Sequence, residues 1–157
     1  MGYSHYYEPS SKHITQEQWD KFLIRVKRLI KASPVALGNG VGEEGTAPII
    51  KDNEILLNGI GDNAHKTFHL AFNNKEWDFT KTARQPYDVV VTAILILAQN
   101  DLGYSVRSDG YREEWQDGLD TVHELFGDKY TTDFLQTEEE EEEVNEEFRQ
   151  RQERNNG

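Results

Sequence analysis

The sequence contains no cysteine among its 157 residues. This absence excludes structural disulfides, thiolate zinc sites and a cysteine nucleophile, and it fits a reducing compartment. Long apolar runs are also missing, because the longest one, Val89 to Ala98, is interrupted by Thr92 and is far too short to span a bilayer. The first residues lack both a basic start and an apolar stretch, so we expect neither a secretory signal nor a membrane partner.

The charge of the chain is unevenly distributed. The formal net charge is −12, and residues 111–157 contribute −11 of it, with 16 acidic and 5 basic side chains. Residues 1–110 hold 13 acidic and 12 basic side chains and are almost balanced. Such a chain has no overall field that attracts nucleic acid. The composition therefore argues against direct nucleic-acid binding and favours a protein partner with a basic surface.

The first predicted helix has the clearest signals in the sequence. Thr15 and Gln18 have the spacing of a capping box, and apolar residues from Trp19 to Ile30 then recur at helical spacing. These signals predict a helix over residues 16–32. Its other face carries five basic side chains: Lys21, Arg25, Lys27, Arg28 and Lys31. This face is either solvated or a docking face for something acidic, such as the chain's own tail.

Two further helices are predicted. Pro86 and Gly103 enclose a run that is apolar on all sides, which indicates a buried helix over residues 87–101. The third helix shows the spacing of an amphipathic helix and ends at Gly127. Its apolar positions are Trp115, Leu119, Val122 and Phe126.

The remaining signals predict strands near residues 3–7, 54–59, 67–72, 76–80 and 104–107, with Asn73-Asn74 as a hairpin turn. The sequence thus predicts an α+β fold, with one antiparallel sheet of four to five strands and three helices packed on one face. This domain would occupy residues 1–135. Six adjacent carboxylates, Glu138 to Glu143, repel one another, so we expect residues 136–157 to be an acidic tail that is disordered alone, with a helix on binding as the alternative.

The best candidate for a binding site precedes the buried helix. Lys81, Thr82 and Arg84 would surround a helix N-terminus, whose free N–H groups suit a phosphate or carboxylate. The alternative is that Asp88 already uses this helix end and pairs with Arg84 or Lys81. Tyr87 is either half-buried packing or a proton donor at the same place.

The histidines and Asp109 are weaker candidates for chemistry. His65 and His69 are four residues apart, and with His5 they would supply the three ligands that catalytic zinc requires. The plainer interpretation is one turn histidine and one exposed strand histidine, so we predict no metal. Asp109, in Ser108-Asp109-Gly110, is either an acid or base at a strand end or a helix cap.

Several motifs resemble those of a family of bacteriophage and prophage proteins. They are the opening Gly2-Tyr3-Ser4-His5-Tyr6, Asn58-Gly59, the string from Lys81-Thr82-Ala83-Arg84 to Pro86-Tyr87-Asp88, and Ser108-Asp109-Gly110 followed by Trp115. The likeness is spread over residues 2–126. It implies a phage accessory protein in the cytoplasm of the host cell.

Three functional hypotheses follow. The favoured one is a protein without enzymatic activity or cofactor that binds and inhibits or redirects a host protein, for example in countering host defence. Its acidic tail would bind a basic surface, in the manner of nucleic-acid phosphates. The second is a small enzyme or sensor for a phosphorylated metabolite or nucleotide, in which Lys81 and Arg84 bind the anion. His65 or Asp109 would then move protons, and His5, Asn58, Tyr87 and Asp88 would complete the pocket. The third is a structural component of the virion.

Overall fold

The strands form two antiparallel sheets of three strands each, where the sequence predicted a single sheet. They are seen in a computed structural model that describes residues 3–156, so Gly2 of the opening motif lies outside the described part. In the first sheet, β1 (Ser4–Glu8) lies between β5 (Asp78–Lys81) and β6 (Ser105–Ser108). In the second, β3 (Glu54–Leu57) lies between β2 (Ile49–Lys51) and β4 (Phe68–Ala71). The α+β class is confirmed, and the sheet arrangement is corrected.

The predicted hairpin at Asn73-Asn74 is wrong. The chain does turn there, but β5 continues into the first sheet and pairs with β1, with Ser4 opposite Lys81 and Tyr7 opposite Asp78. The burial of β1 fits a central position in this sheet, because Ser4, His5 and Tyr7 are buried and only Glu8 at its end is exposed. A central strand with one buried face needs a partner on each edge, and β5 and β6 supply them.

The strand β2 was not predicted. It pairs with β3 across the two-residue turn Asp52-Asn53, with Lys51 opposite Glu54. Only three residues long and partly exposed, β2 leaves little pattern in the sequence.

The helix bounds follow the sequence signals closely. Helix α1 spans Gln16–Ala32, as predicted, and both hydrogen bonds of the capping box between Thr15 and Gln18 are present. Helix α2 spans Asp88–Leu102, one residue later than predicted. Helix α3 spans Gln116–Phe126 and follows a 3-10 turn at Arg112–Trp115.

The core of the fold is organised around α2. Side chains from Val90 to Ala98 are all buried, and the helix packs against both α1 and α3. Apolar residues of both sheets join the same core cluster, among them Tyr7 and Ile55. The helix ends at Gly103, which has φ of 75°, a conformation that glycine adopts without steric cost. Full burial thus outweighs the β-branched content of α2, which alone would favour a strand.

The C-terminal segment, predicted to be disordered, is a helix. Helix α4 spans Glu138–Asn156. A capping box begins it, because the backbone N–H of Glu140 donates to Thr137 Oγ1 at 3.0 Å and the N–H of Thr137 donates to Glu140 Oε2 at 3.3 Å. Carboxylates in the first turn also suit the positive end of the helix dipole. The capping box and the helix dipole offset the repulsion between glutamates on which the prediction of disorder was based.

No helix in residues 3–156 is long and apolar enough to cross a membrane.

Helices α2 and α3 approach closely at Gly118. A Cβ at this position would overlap Thr92 Oγ1 and lie 3.2 Å from the backbone nitrogen of Ala93. Alanine is favoured over glycine in a helix by about 1 kcal/mol, but overpacking costs about 1–3 kcal/mol. We expect Gly118→Ala to lower the free energy of unfolding in urea by about 1 kcal/mol. The exposed control Glu124→Ala should stay within about 0.5 kcal/mol. A stabilised Gly118→Ala protein would contradict this packing.

The tyrosines predict how the fold responds to alkali. Burial raises the pKa of Tyr104 and of Tyr130 to about 12, and it raises that of Tyr3, Tyr7 and Tyr87 further. The folded state therefore binds these phenolic protons more tightly than the unfolded chain, whose tyrosines titrate near a pKa of about 10. Stability should be fully present below pH about 10 and decline as the pH rises from there toward 12. Phenolate absorbance and circular dichroism should change together, whereas buried phenols ionising near pH 10 in a native protein would contradict the account.

Candidate functional site

A chain of hydrogen bonds runs through the buried His5. Its Nε2 lies 2.6 Å from Asp88 Oδ1, and its Nδ1 lies 2.7 Å from Ser108 Oγ. Thr82 Oγ1 donates to the same Asp88 oxygen at 2.6 Å. His5 and Thr82 are fully buried, whereas the Asp88 side chain is 14% exposed. We call these four residues the His5 relay.

The surroundings of Ser108 determine where the His5 proton lies. Ser108 Oγ accepts from the backbone N–H of Gly110 at 2.9 Å and from Trp115 Nε1 at 3.2 Å. Because these donors occupy both lone pairs of the hydroxyl, its own proton points to His5 Nδ1. His5 therefore carries its ring proton on Nε2 and donates it to Asp88.

The order serine, histidine, aspartate matches that of a hydrolytic triad, but the geometry does not support catalysis. A nucleophilic hydroxyl needs a free lone pair directed at the substrate. Both lone pairs of Ser108 are used, and the depression next to the relay is lined by Asp88 rather than by Ser108. The relay instead joins β1 and the start of α2 to the segment that begins α3.

The predicted anion site contains a carboxylate. Asp88 lies at the first position of α2, where it accepts from His5 and Thr82, not from Lys81 or Arg84. Arg84 is held over the ring of Tyr3, with Cζ 4.2 Å from the centroid, and its Nη2 lies 3.4 Å from Glu114 Oε1. Lys81 is exposed. The carboxylate of Asp88 would repel an anion at this helix end. The anion site therefore stays a prediction.

The segment before α2 has an unusual backbone. Ala83 and Arg84 have φ of 52° and 57°, in the left-handed region that side chains other than glycine rarely adopt. This conformation turns the chain between β5 and α2, so that Thr82 is buried against Asp88 while Arg84 returns to the surface over Tyr3.

The histidines predicted as weak metal ligands, His65 and His69, have different partners. His69 Nε2 lies 3.0 Å from Glu54 Oε2 on the neighbouring strand, and this hydrogen bond lowers the pKa of Glu54. The side chain of His65 is exposed, while its backbone N–H and carbonyl bond to Asn58. Within residues 3–156 no group of three potential ligands is placed to hold a metal ion.

The other predicted pocket residues are anchors of loops and strands. Asn58 is buried and bonds to the backbone of Gly40, Gly59 and His65, so it joins two loops. Tyr87 is buried, and its hydroxyl donates to the carbonyl of Lys81 at 3.3 Å. Asp109 accepts from the backbone N–H of Ser4 at 3.0 Å and ties β1 to the end of β6.

The most distinctive surface of the molecule is acidic and lies along α3 and the start of α4. Exposed carboxylates follow one another at helical spacing along the 3-10 turn and α3. Together with those of α4 they line three adjoining depressions. The first and second depressions share Glu114, and the second and third share Asp117. We call this surface the acidic face; its residues are Glu113, Glu114, Asp117, Asp120, Glu124, Glu138, Glu139 and Glu142.

Arg112 holds the two parts of the acidic face together. Its guanidinium donates to the carbonyl of Leu135 at 2.6 Å, its backbone N–H donates to that of Gln136 at 2.9 Å, and Nη1 lies 3.6 Å from Glu140. A hydrogen bond from Tyr111 to Glu141 raises the pKa of Tyr111 to about 12. The start of α4 is thus fixed beside the turn that precedes α3.

Sequence reasoning missed several of these residues. Ser108 was considered only as part of the Ser108-Asp109-Gly110 motif, and the third helix only by its apolar residues. Their spacing, Glu113, Asp117, Asp120 and Glu124, was visible as a stripe on one helix face. Thr137-x-x-Glu140 was likewise visible as a capping box.

The comparisons with known proteins found no relatives. No family model, no curated protein and no solved structure matches the chain.

The His5 relay predicts a large effect of removing its acceptor. Asp88→Ala leaves the buried donors of His5 and Thr82 without Oδ1, and each unsatisfied buried group costs about 1–3 kcal/mol. We expect the free energy of unfolding in urea to fall by about 2 kcal/mol or more. Asp128→Ala, at an exposed position, should change it by less than about 0.5 kcal/mol. Equal effects of the two substitutions would show that the relay contributes nothing to stability.

Proposed function

We propose that this protein is a non-enzymatic binding protein that engages a basic surface of a partner protein through the acidic face. The observation that carries the proposal is the assembly of eight exposed carboxylates from the 3-10 turn, α3 and α4 on one surface. Two cations reach this surface, and each already contacts a carboxylate: Arg84 contacts Glu114, and Arg112 contacts Glu140. The remaining negative charge is available to an external cation.

The order of the acidic face favours a role in recognising a partner over a role in keeping the protein soluble. An ordered array of one sign steers a complementary partner and fixes its orientation. Arg112 holds the residues just before α4 beside the 3-10 turn that precedes α3, and the Thr137 capping box begins α4 there, which a purely solubilising tail would not require. The resemblance to bacteriophage proteins supports a host protein as the partner, with inhibition or redirection of that protein as the effect.

The His5 relay supports a binding role as well. The side chains best suited to catalysis all belong to this relay, where they form hydrogen bonds with other groups of the protein. The closed network leaves Ser108 no lone pair for attack on a substrate. The surface contacts of a binding protein require no such reactive group.

The proposal predicts charge-dependent capture of partners. The full-length protein should retain proteins from bacterial lysate at low salt and release them at high salt, because exposed charges are screened over about 10 Å at 0.1 M. The variant with Glu138, Glu139 and Glu142 all changed to Gln should lose most of this capture. Retained bands would be compared by mass spectrometry.

A matched variant provides the control. Glu43, Glu44 and Glu76 are exposed glutamates outside the acidic face, and their change to Gln removes the same number of charges. This control should retain the same proteins as the wild type. Equal loss in both variants, or no retained protein at either salt concentration, would contradict the proposal.

A further inference from the structure

An apolar groove lies directly beside the acidic face. It has a volume of about 430 Å³ and runs between the end of α1, the start of α2 and α3. Its floor is formed by Leu29 and Val90, which are buried, and its walls by Val35, Val89 and Leu125, which are half-buried. The groove can therefore accommodate an apolar side chain of another molecule.

The rim of the groove is charged on one side. Asp117, Asp120 and Glu124 follow α3 along one edge, whereas Ser33 and Pro34 on the opposite edge are uncharged. None of the ion pairs found in residues 3–156 involves the three rim carboxylates. Near the end of α3, Arg28 packs over the ring of Phe126 at 5.8 Å.

We propose that this groove binds a basic amphipathic segment of a partner protein, with an apolar side chain in the groove and cations on the rim carboxylates. The inference depends on the proposed function and adds to it the chemistry of the partner. Charge complementarity selects the occupant, because the rim repels anionic groups and attracts lysine and arginine. The apolar walls then select among basic segments those with an exposed apolar residue.

The spacing of the rim carboxylates favours a helical segment. Asp117, Asp120 and Glu124 are separated by three and four residues and therefore lie on one side of α3. A partner helix alongside α3 would present cations at the same spacing, and its apolar residues would point into the groove.

Two labelled peptides test the inference on the full-length protein. One is a lysine-rich amphipathic helix with a leucine face, and the other has the same length and charge with serine in place of leucine. Fluorescence anisotropy should show at least about tenfold tighter binding of the leucine peptide. Tenfold corresponds to about 1.4 kcal/mol, and burial of a single leucine side chain supplies about that much.

A substitution that fills the groove provides the second measurement. Ala32 is exposed and lines the groove, so Ala32→Phe should occupy part of its volume and weaken binding of the leucine peptide about tenfold. Binding of the serine peptide should not change. Ala47 is exposed outside the groove, and Ala47→Phe should bind both peptides as the wild type does.

The outcomes separate this inference from the proposed function. If the two peptides bind equally and salt weakens both, the acidic face recognises charge alone and the groove inference is wrong. If neither peptide binds, both proposals are wrong. If Ala32→Phe leaves the leucine peptide unaffected, or if sedimentation shows a dimer of the wild type that Ala32→Phe disrupts, the groove inference is overturned while the acidic face is not.

Discussion

The carboxylate of Asp88 is the point on which the rest of the structure depends. It lies at the start of the buried helix α2 and accepts hydrogen bonds from His5 on β1 and from Thr82 after β5. A carboxylate near the positive end of a helix is favourable, and two buried donors fix its direction. The first sheet and the central helix are therefore joined by directional bonds in addition to apolar packing. Without this acceptor, two buried polar groups of the core would lack a partner.

The same hydrogen-bond network determines where the acidic face lies. Ser108, which donates to His5, also accepts from Gly110 and Trp115, so the chain between β6 and α3 is fixed to the relay. Close packing of α3 on α2 then orients the carboxylates of α3 outward, and Arg112 adds the start of α4 to them. An ordered acidic face beside an apolar groove is the consequence, and it is the basis of the proposed recognition of a basic, amphipathic partner.

Patterns local in sequence predicted most helices well and the sheets less well. The capping box at Thr15 and the apolar stripe placed α1 at its observed bounds, and Pro86 and Gly103 placed α2 to within one residue. Pairing of strands depends on distant residues, which explains why the β1–β5 ladder was mistaken for a hairpin at Asn73-Asn74. The relay could not be predicted either, because His5, Asp88 and Ser108 are far apart in sequence and none has a local signature. The helix α4 was missed because repulsion between glutamates was weighed without the Thr137 cap.

The protonation of the His5 ring tests the central claim most directly. Nitrogen NMR of the imidazole distinguishes a protonated from an unprotonated ring nitrogen. The hydrogen-bond network predicts a proton on Nε2, which faces Asp88, and none on Nδ1, which accepts from Ser108. In Asp88→Ala the proton should stay on Nε2, because Ser108 still donates to Nδ1, but the Nε2 signal should shift because its hydrogen-bond acceptor is lost. A proton on Nδ1 in the wild type, or a ring signal unaffected by Asp88→Ala, would contradict the network.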